Sequence, residues 1–114
     1  MLSRDEILGL DDRKPVKVPV PEWSTDVFVR PMSAAERDAL DMETFERREA
    51  KKPSNFRARL AVRVICREDG ERLFNNDDAD AVGKKSQIAV DRIIDAASRT
   101  NALTDKDVDA LEKN

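Results

Sequence analysis

The sequence predicts an α+β fold: a mainly helical single domain with one N-terminal β-hairpin. Three observations carry that expectation. The stretch KPVKVPVPEWSTDVFVRPM places apolar residues with a period of two, the spacing of a strand that buries one face. Most of the remaining chain carries apolar residues at helical spacing, with Ser3, Ser33, Ser86 and Thr104 at the points where helix caps are needed. Finally, 114 residues is the usual length of one domain, and no repeat or low-complexity linker divides the chain.

Each element has a local cause. Ser3 and Glu6 have capping-box spacing and Gly9 can close the turn, so a short helix over Arg4–Leu8 is expected; Leu2, Ile7, Leu8 and Leu10 leave it in need of something to dock on. The hairpin occupies residues 14–31. Val16, Val18 and Val20 share one face of its first strand, Val27 and Val29 share one face of the second, and EWSTD supplies the turn. Pro15, Pro19 and Pro21 alternate along the first strand. Proline donates no ladder hydrogen bond, which makes this an edge strand.

Ser33 and Glu36 form a second capping box, opening a helix over 34–52 that Pro53 terminates. Arg47, Arg48, Lys51 and Lys52 load its end with positive charge, as the macrodipole favours. Leu40, Met42 and Phe45 do not line one stripe, so this helix is expected to be largely solvated or completed by another chain. The next helix, 54–67, is apolar around most of its circumference, which marks it as central; Arg59, Arg63 and Arg67 share the narrow polar stripe that is left. Glu68-Asp69-Gly70-Glu71 reads as a turn, and Arg72-Leu73-Phe74 as a short extension with Leu73 and Phe74 inward. Asn76 or Asp77 caps a short helix, 77–83, that ends at Gly83. Ser86 opens the helix 86–100, whose broad apolar face includes Val90, Ile93, Ile94, Ala96 and Ala97 and which Asn101 stops. Thr104 caps a final helix, 104–113, held only by Val108 and Leu111 and expected to fray.

Composition narrows the functional classes. Hydrophobic and charged residues each make up 39% of the chain, against a usual charged share of about 25%, and aromatics only 4%. So much charge around so thin a core suggests a fold that finishes burying itself against a partner. The absence of His removes mechanisms and zinc sites that need imidazole, and a single Cys forbids an internal disulfide or thiolate cluster. No apolar run approaches a membrane span and MLSRDEI lacks a signal-peptide core. A net charge of -3 argues against non-specific nucleic-acid binding by the whole chain. The expectation is a soluble, non-enzymatic protein of a reducing compartment, with no cofactor, no metal, no membrane and no nucleic acid.

Four constellations have to be weighed against structural explanations. Asp77, Asp78 and Asp80 resemble the opening of a calcium loop, but positions six and twelve would be Val82 and Ile88 instead of Gly and Glu, so helix capping is preferred. Arg47 to Arg67 carries eight positive side chains and one Glu. That suits an acidic protein segment or phosphates, or it is two helix ends and a solvated stripe; with only Phe56 interleaved, nucleic acid is the weaker version. Cys66, on a helix expected to be buried and with no His to activate it, reads as a small hydrophobe. Trp23 beside the hairpin turn is either a partner anchor or the cover of the hairpin's own apolar face.

In this order the segments resemble a known family. MLSRDEIL, the hairpin with VPEW at its turn, DVFVRPMSAAERDAL, and then ARLAVRVICREDGERLFNNDDADAVGKKSQIAVDRIIDAA are similar to tail assembly chaperones of long-tailed bacteriophages and prophages. The resemblance spans nearly the whole chain and has no catalytic signature.

It implies a chaperone that binds the tape measure protein and keeps it soluble. It also implies help in recruiting subunits of the major tail tube protein, action in the host cytoplasm, absence from the mature virion, and self-association into a homo-oligomer. Many members are made in two lengths by a translational frameshift; Glu112-Lys113-Asn114 is compatible with a slippery GAA-AAA-AAC, which the gene sequence would settle. Such a client is mostly amphipathic helix, so a helix-in-groove mode is expected. Exposed-apolar logic selects Trp23, Phe28, Leu40, Met42 and Phe45 as contact or self-association positions, and Arg59, Arg63 and Arg67 as a stripe that steers acidic client segments. The alternative is a small structural tail or connector protein retained in the virion.

Overall fold

The computed structural model describes residues 1–101. Five α-helices and a three-stranded antiparallel sheet form an α+β fold. The expected helix at 104–113 lies outside the described residues.

Helix α1 (Arg4–Leu8) has the full Ser3–Glu6 capping box yet buries none of its residues, and Leu2, Ile7, Leu8 and Leu10 stay exposed. Strands β1 (Val16–Val20) and β2 (Thr25–Val29) are joined by a single 3-10 turn, Pro21–Trp23, closed by Ser24 in the left-handed region at φ 55°. Val16 pairs with Val29, Val18 with Val27 and Val20 with Thr25, so the valines of both strands share one face. Strand β1 is an edge, as its prolines require, although Pro21 belongs to the turn and not to the strand.

Helix α2 (Ala34–Glu49) begins on the Ser33–Glu36 capping box. It stops short of the expected 52, because Lys51 turns left-handed at φ 56° and the following residues lead into Pro53. Helix α3 (Phe56–Val64) is central, with every residue except Arg57 buried. The expected continuation to 67 does not form. Ile65–Cys66 is a third strand, β3, antiparallel to β2 with Ile65 opposite Val29 and Cys66 opposite Phe28. A β-branched run beside the open edge of β2 gains ladder hydrogen bonds that a frayed helix end lacks. The Arg30 N–H extends that ladder to the Val64 carbonyl at 3.0 Å. Gly70, at φ 91°, closes the turn that brings Arg72 back to Cys66.

Asn75, one residue earlier than expected, caps the next turn: its side chain accepts from Asp77 while the Asp78 carboxylate accepts from the Asn75 N–H. Helix α4 (Ala79–Val82) follows and ends at Gly83. Helix α5 (Gln87–Thr100), capped by Ser86, buries Ala89, Val90, Ile93, Ile94, Ala96 and Ala97 against α3 and the hairpin. Sheet, α3, α4 and α5 share one apolar cluster, to which α2 contributes Leu40. Asn101 ties the far end of α5 to the start of α2, its Oδ1 accepting from the Met32 N–H at 2.6 Å. Leu73 is exposed, contrary to expectation, because the bridge to Cys66 turns Arg72 toward the Val62 carbonyl and leaves only Phe74 to pack on the core.

Candidate functional site

The turn between β1 and β2 sets Trp23 at the edge of the core, half-buried and packed against it. Arg92 on α5 holds that turn through a two-pronged ion pair with Glu22, at 2.7 and 3.0 Å. The pair pulls the Glu22 carboxyl below its ordinary pKa, chiefly through the Arg92 hydrogen bond, and raises Arg92 in turn. Phe74 arrives from the segment after β3, and Ala81 and Val82 from α4. Together with Trp23 these side chains line an apolar groove of about 340 Å³, with Asp78 and Lys85 as its polar members. Such a surface can take one apolar face of a helix while its ends remain wet.

Phe74, Val82 and Lys85 are not among the positions that the sequence selects. The sequence turns Phe74 inward, but a contact between residue 23 and residues 74–85 has no local signature.

The selected residues do not converge on one place. Phe28 is half-buried on the sheet face opposite the valines, paired across to Lys17 and Cys66 and away from the turn that carries Trp23. Met42 and Phe45 are exposed on the outer side of α2. Leu40 is not: it is fully buried, because the α2 face that carries it is pressed onto α3.

The arginine stripe also differs from expectation. Arg67 is exposed just beyond β3, whereas Arg59 and Arg63 are buried beneath α2 and cannot steer a client from there. The Arg59 guanidinium meets Glu43 Oε1 at 3.1 Å and donates to Thr44 Oγ1 and the Ser54 carbonyl; Arg63 meets Glu43 Oε2 at 3.4 Å and donates to the Arg59 carbonyl. One turn from the start of α2, Glu36 takes up Arg13 and Arg30 in the same way. The long stripe that looks solvated on an isolated helix is therefore an ionic seam between two helices. Burial lowers the pKa of Arg59, with Glu43 opposing it. Burial also pushes the Cys66 thiol up, as does Asp69, which makes it a poor nucleophile.

Among the described residues no group of three or more Cys, Asp or Glu side chains is placed to hold a metal ion, and the Asp78 carboxylate is engaged in the cap described above. No described helix is long and apolar enough to cross a membrane. The arrangement offers recognition surfaces: an apolar groove, an exposed apolar helix at the N-terminus and an apolar ridge on α2.

No curated protein and no solved structure matches this chain. A family model described as phage tail assembly chaperone matches residues 13–114, from the approach to β1 to the last residue. With most of its length inside that match, the chain belongs to the phage tail assembly chaperone family.

Proposed function

We propose that this protein shields an amphipathic helix of the tape measure protein during tail morphogenesis, taking its apolar face into the groove lined by Trp23, Phe74 and Val82. The observation that carries this reading is the groove itself. It is an unfilled apolar surface of about 340 Å³ on a small, heavily charged chain, and it holds the sequence's only Trp. Family membership supports the chaperone role and a non-enzymatic one. The same reading has the protein acting in the host cytoplasm, delivering major tail tube subunits to the coated client, and leaving before the virion is complete. The exposed α1 residues and the Met42–Phe45 ridge supply surface for self-association into a homo-oligomer.

Co-expression with the tape measure protein tests this. The client should stay in the soluble fraction with the intact chaperone and precipitate when the chaperone is omitted; unchanged solubility defeats the proposal. Mass spectrometry of purified virions should not find the chain, and stoichiometric recovery there would instead make it a retained tail component.

A further inference from the structure

Lys85 belongs to two surfaces at once. It is a wall of the apolar groove at Trp23, and it also lines the hollow around the start of α3 that includes Ser54, Arg57 and Gln87. Beside that hollow lies a trough of about 680 Å³ bordered by Arg47, Lys52, Pro53, Asp80 and Lys84. The apolar groove thus runs, at Lys85, into a concave surface built from two basic clusters about thirty residues apart in sequence. Among the described residues none of Lys51, Lys52, Lys84 and Lys85 makes an ion pair, while Arg47 donates to the Pro53 carbonyl at 2.8 Å. The acidic member of the trough, Asp80, accepts from the Asn55 side chain. Lys52 and Lys84 on the trough and Lys85 on the adjoining hollow thus make a positive surface on a chain of net charge -3, and such a surface favours an anion.

We infer that the client helix carries an acidic stretch directly adjoining its apolar face, and that Lys52, Lys84 and Lys85 receive it. This inference rests on the groove reading above and adds the chemistry of the segment bound. Apolar burial supplies the hold, and the lysines set the direction in which the helix lies and the rate at which it is found. The basic surface that matters is then the end of α2 together with the α4–α5 junction, not the Arg59, Arg63 and Arg67 stripe.

Trp23 is the chain's only tryptophan and lines the groove, so its fluorescence reports occupancy. Two peptides serve as probes. One is a neutral amphipathic helix of about 18 residues built from Leu, Ala and Gln, five turns long. The other is the same peptide with a short run of Glu appended. The acidic version should bind about tenfold tighter near 50 mM salt, the gain expected of a few exposed ion pairs, and the advantage should vanish near 500 mM. In the double variant Lys52→Glu, Lys84→Glu, which leaves every wall of the groove in place and is checked for folding by circular dichroism, the acidic peptide should lose its advantage while the neutral one binds as before. Equal affinity of both peptides for the unaltered protein overturns this inference and leaves the groove reading standing. Binding of neither peptide defeats both. A single-stranded oligonucleotide that binds as tightly as the acidic peptide, with the same lysine dependence and no Trp23 response, makes the trough a general polyanion site and also overturns the inference.

Discussion

Glu43 and Arg59 form an ion pair at 3.1 Å in which the guanidinium is entirely buried and the carboxylate is about one-third exposed. The same carboxylate reaches Arg63, so a single acidic side chain of α2 balances two buried cations of α3. Leu40 and Thr44 complete the buried face of α2, so the helix is seated as much by charge as by apolar contact.

Glu43→Gln leaves both arginines buried without a counter-charge, and breaking such a pair from one side costs more than the pair contributes. Exposure of Glu43 softens the effect, so a loss of about 2–3 kcal/mol is expected in urea unfolding. A loss below about 0.5 kcal/mol would mean that the seam is solvated.

Glu36 makes the second ionic anchor of α2. Burial acts to raise its carboxyl pKa, but the Ser33 backbone N–H and the Arg13 guanidinium outweigh it, and the net shift is below the ordinary 4.5. A depressed folded value means that the stabilisation is complete above the unfolded pKa and is lost as pH falls through the folded one. Stability measured from pH 5 downward should therefore fall more steeply for the native chain than for Glu36→Gln; parallel acid limbs would contradict the assignment.

The three large apolar residues of α2 should separate cleanly. Leu40→Ala opens a cavity in the core and should cost about 2–4 kcal/mol. Met42→Ala and Phe45→Ala, on the solvent face, should each change stability by no more than about 0.5 kcal/mol. Comparable losses at all three positions would place the core face elsewhere.

Gly70→Ala should cost about 1–2 kcal/mol, because a side chain at φ 91° is strained whatever the space around it. Amide exchange should then accelerate in Ile65–Cys66 and Arg72, the pairing that this turn closes. Unchanged exchange there would show that β3 does not depend on the turn.

Cys66 is buried in β3 with its thiol pKa pushed up. Its reaction with an aromatic disulfide reagent at pH 8 should be slow in the native protein and should rise with the unfolded fraction along a denaturant series. Prompt modification without denaturant would mean that β3 is exposed.

Local chemistry alone located the caps at Ser3, Ser33 and Ser86, the stop at Asn101, the Gly70 turn, and the edge character of β1. Each depends on residues within six positions of one another, and the bonds formed or withheld are those that the residues favour in isolation. The candidate groove was legible only in Trp23. Its other walls are Phe74 and Val82, and no periodicity links residue 23 to residues some fifty positions later.

By itself, then, the sequence determined the fold class, the hairpin and the succession of the described helices with their main caps, because backbone hydrogen bonding and turn geometry are short-ranged. Tertiary structure alone decided three matters. It made Ile65–Cys66 a strand, because the free edge of β2 was there to be paired. It buried Arg59 and Arg63, because α2 brought Glu43 over them. It gathered Lys52, Lys84 and Lys85 beside an apolar groove, because α4 packs against the start of α3. Whether a cation meets water, a carboxylate or a second cation depends on which distant segment arrives beside it, and that is settled only when the core closes.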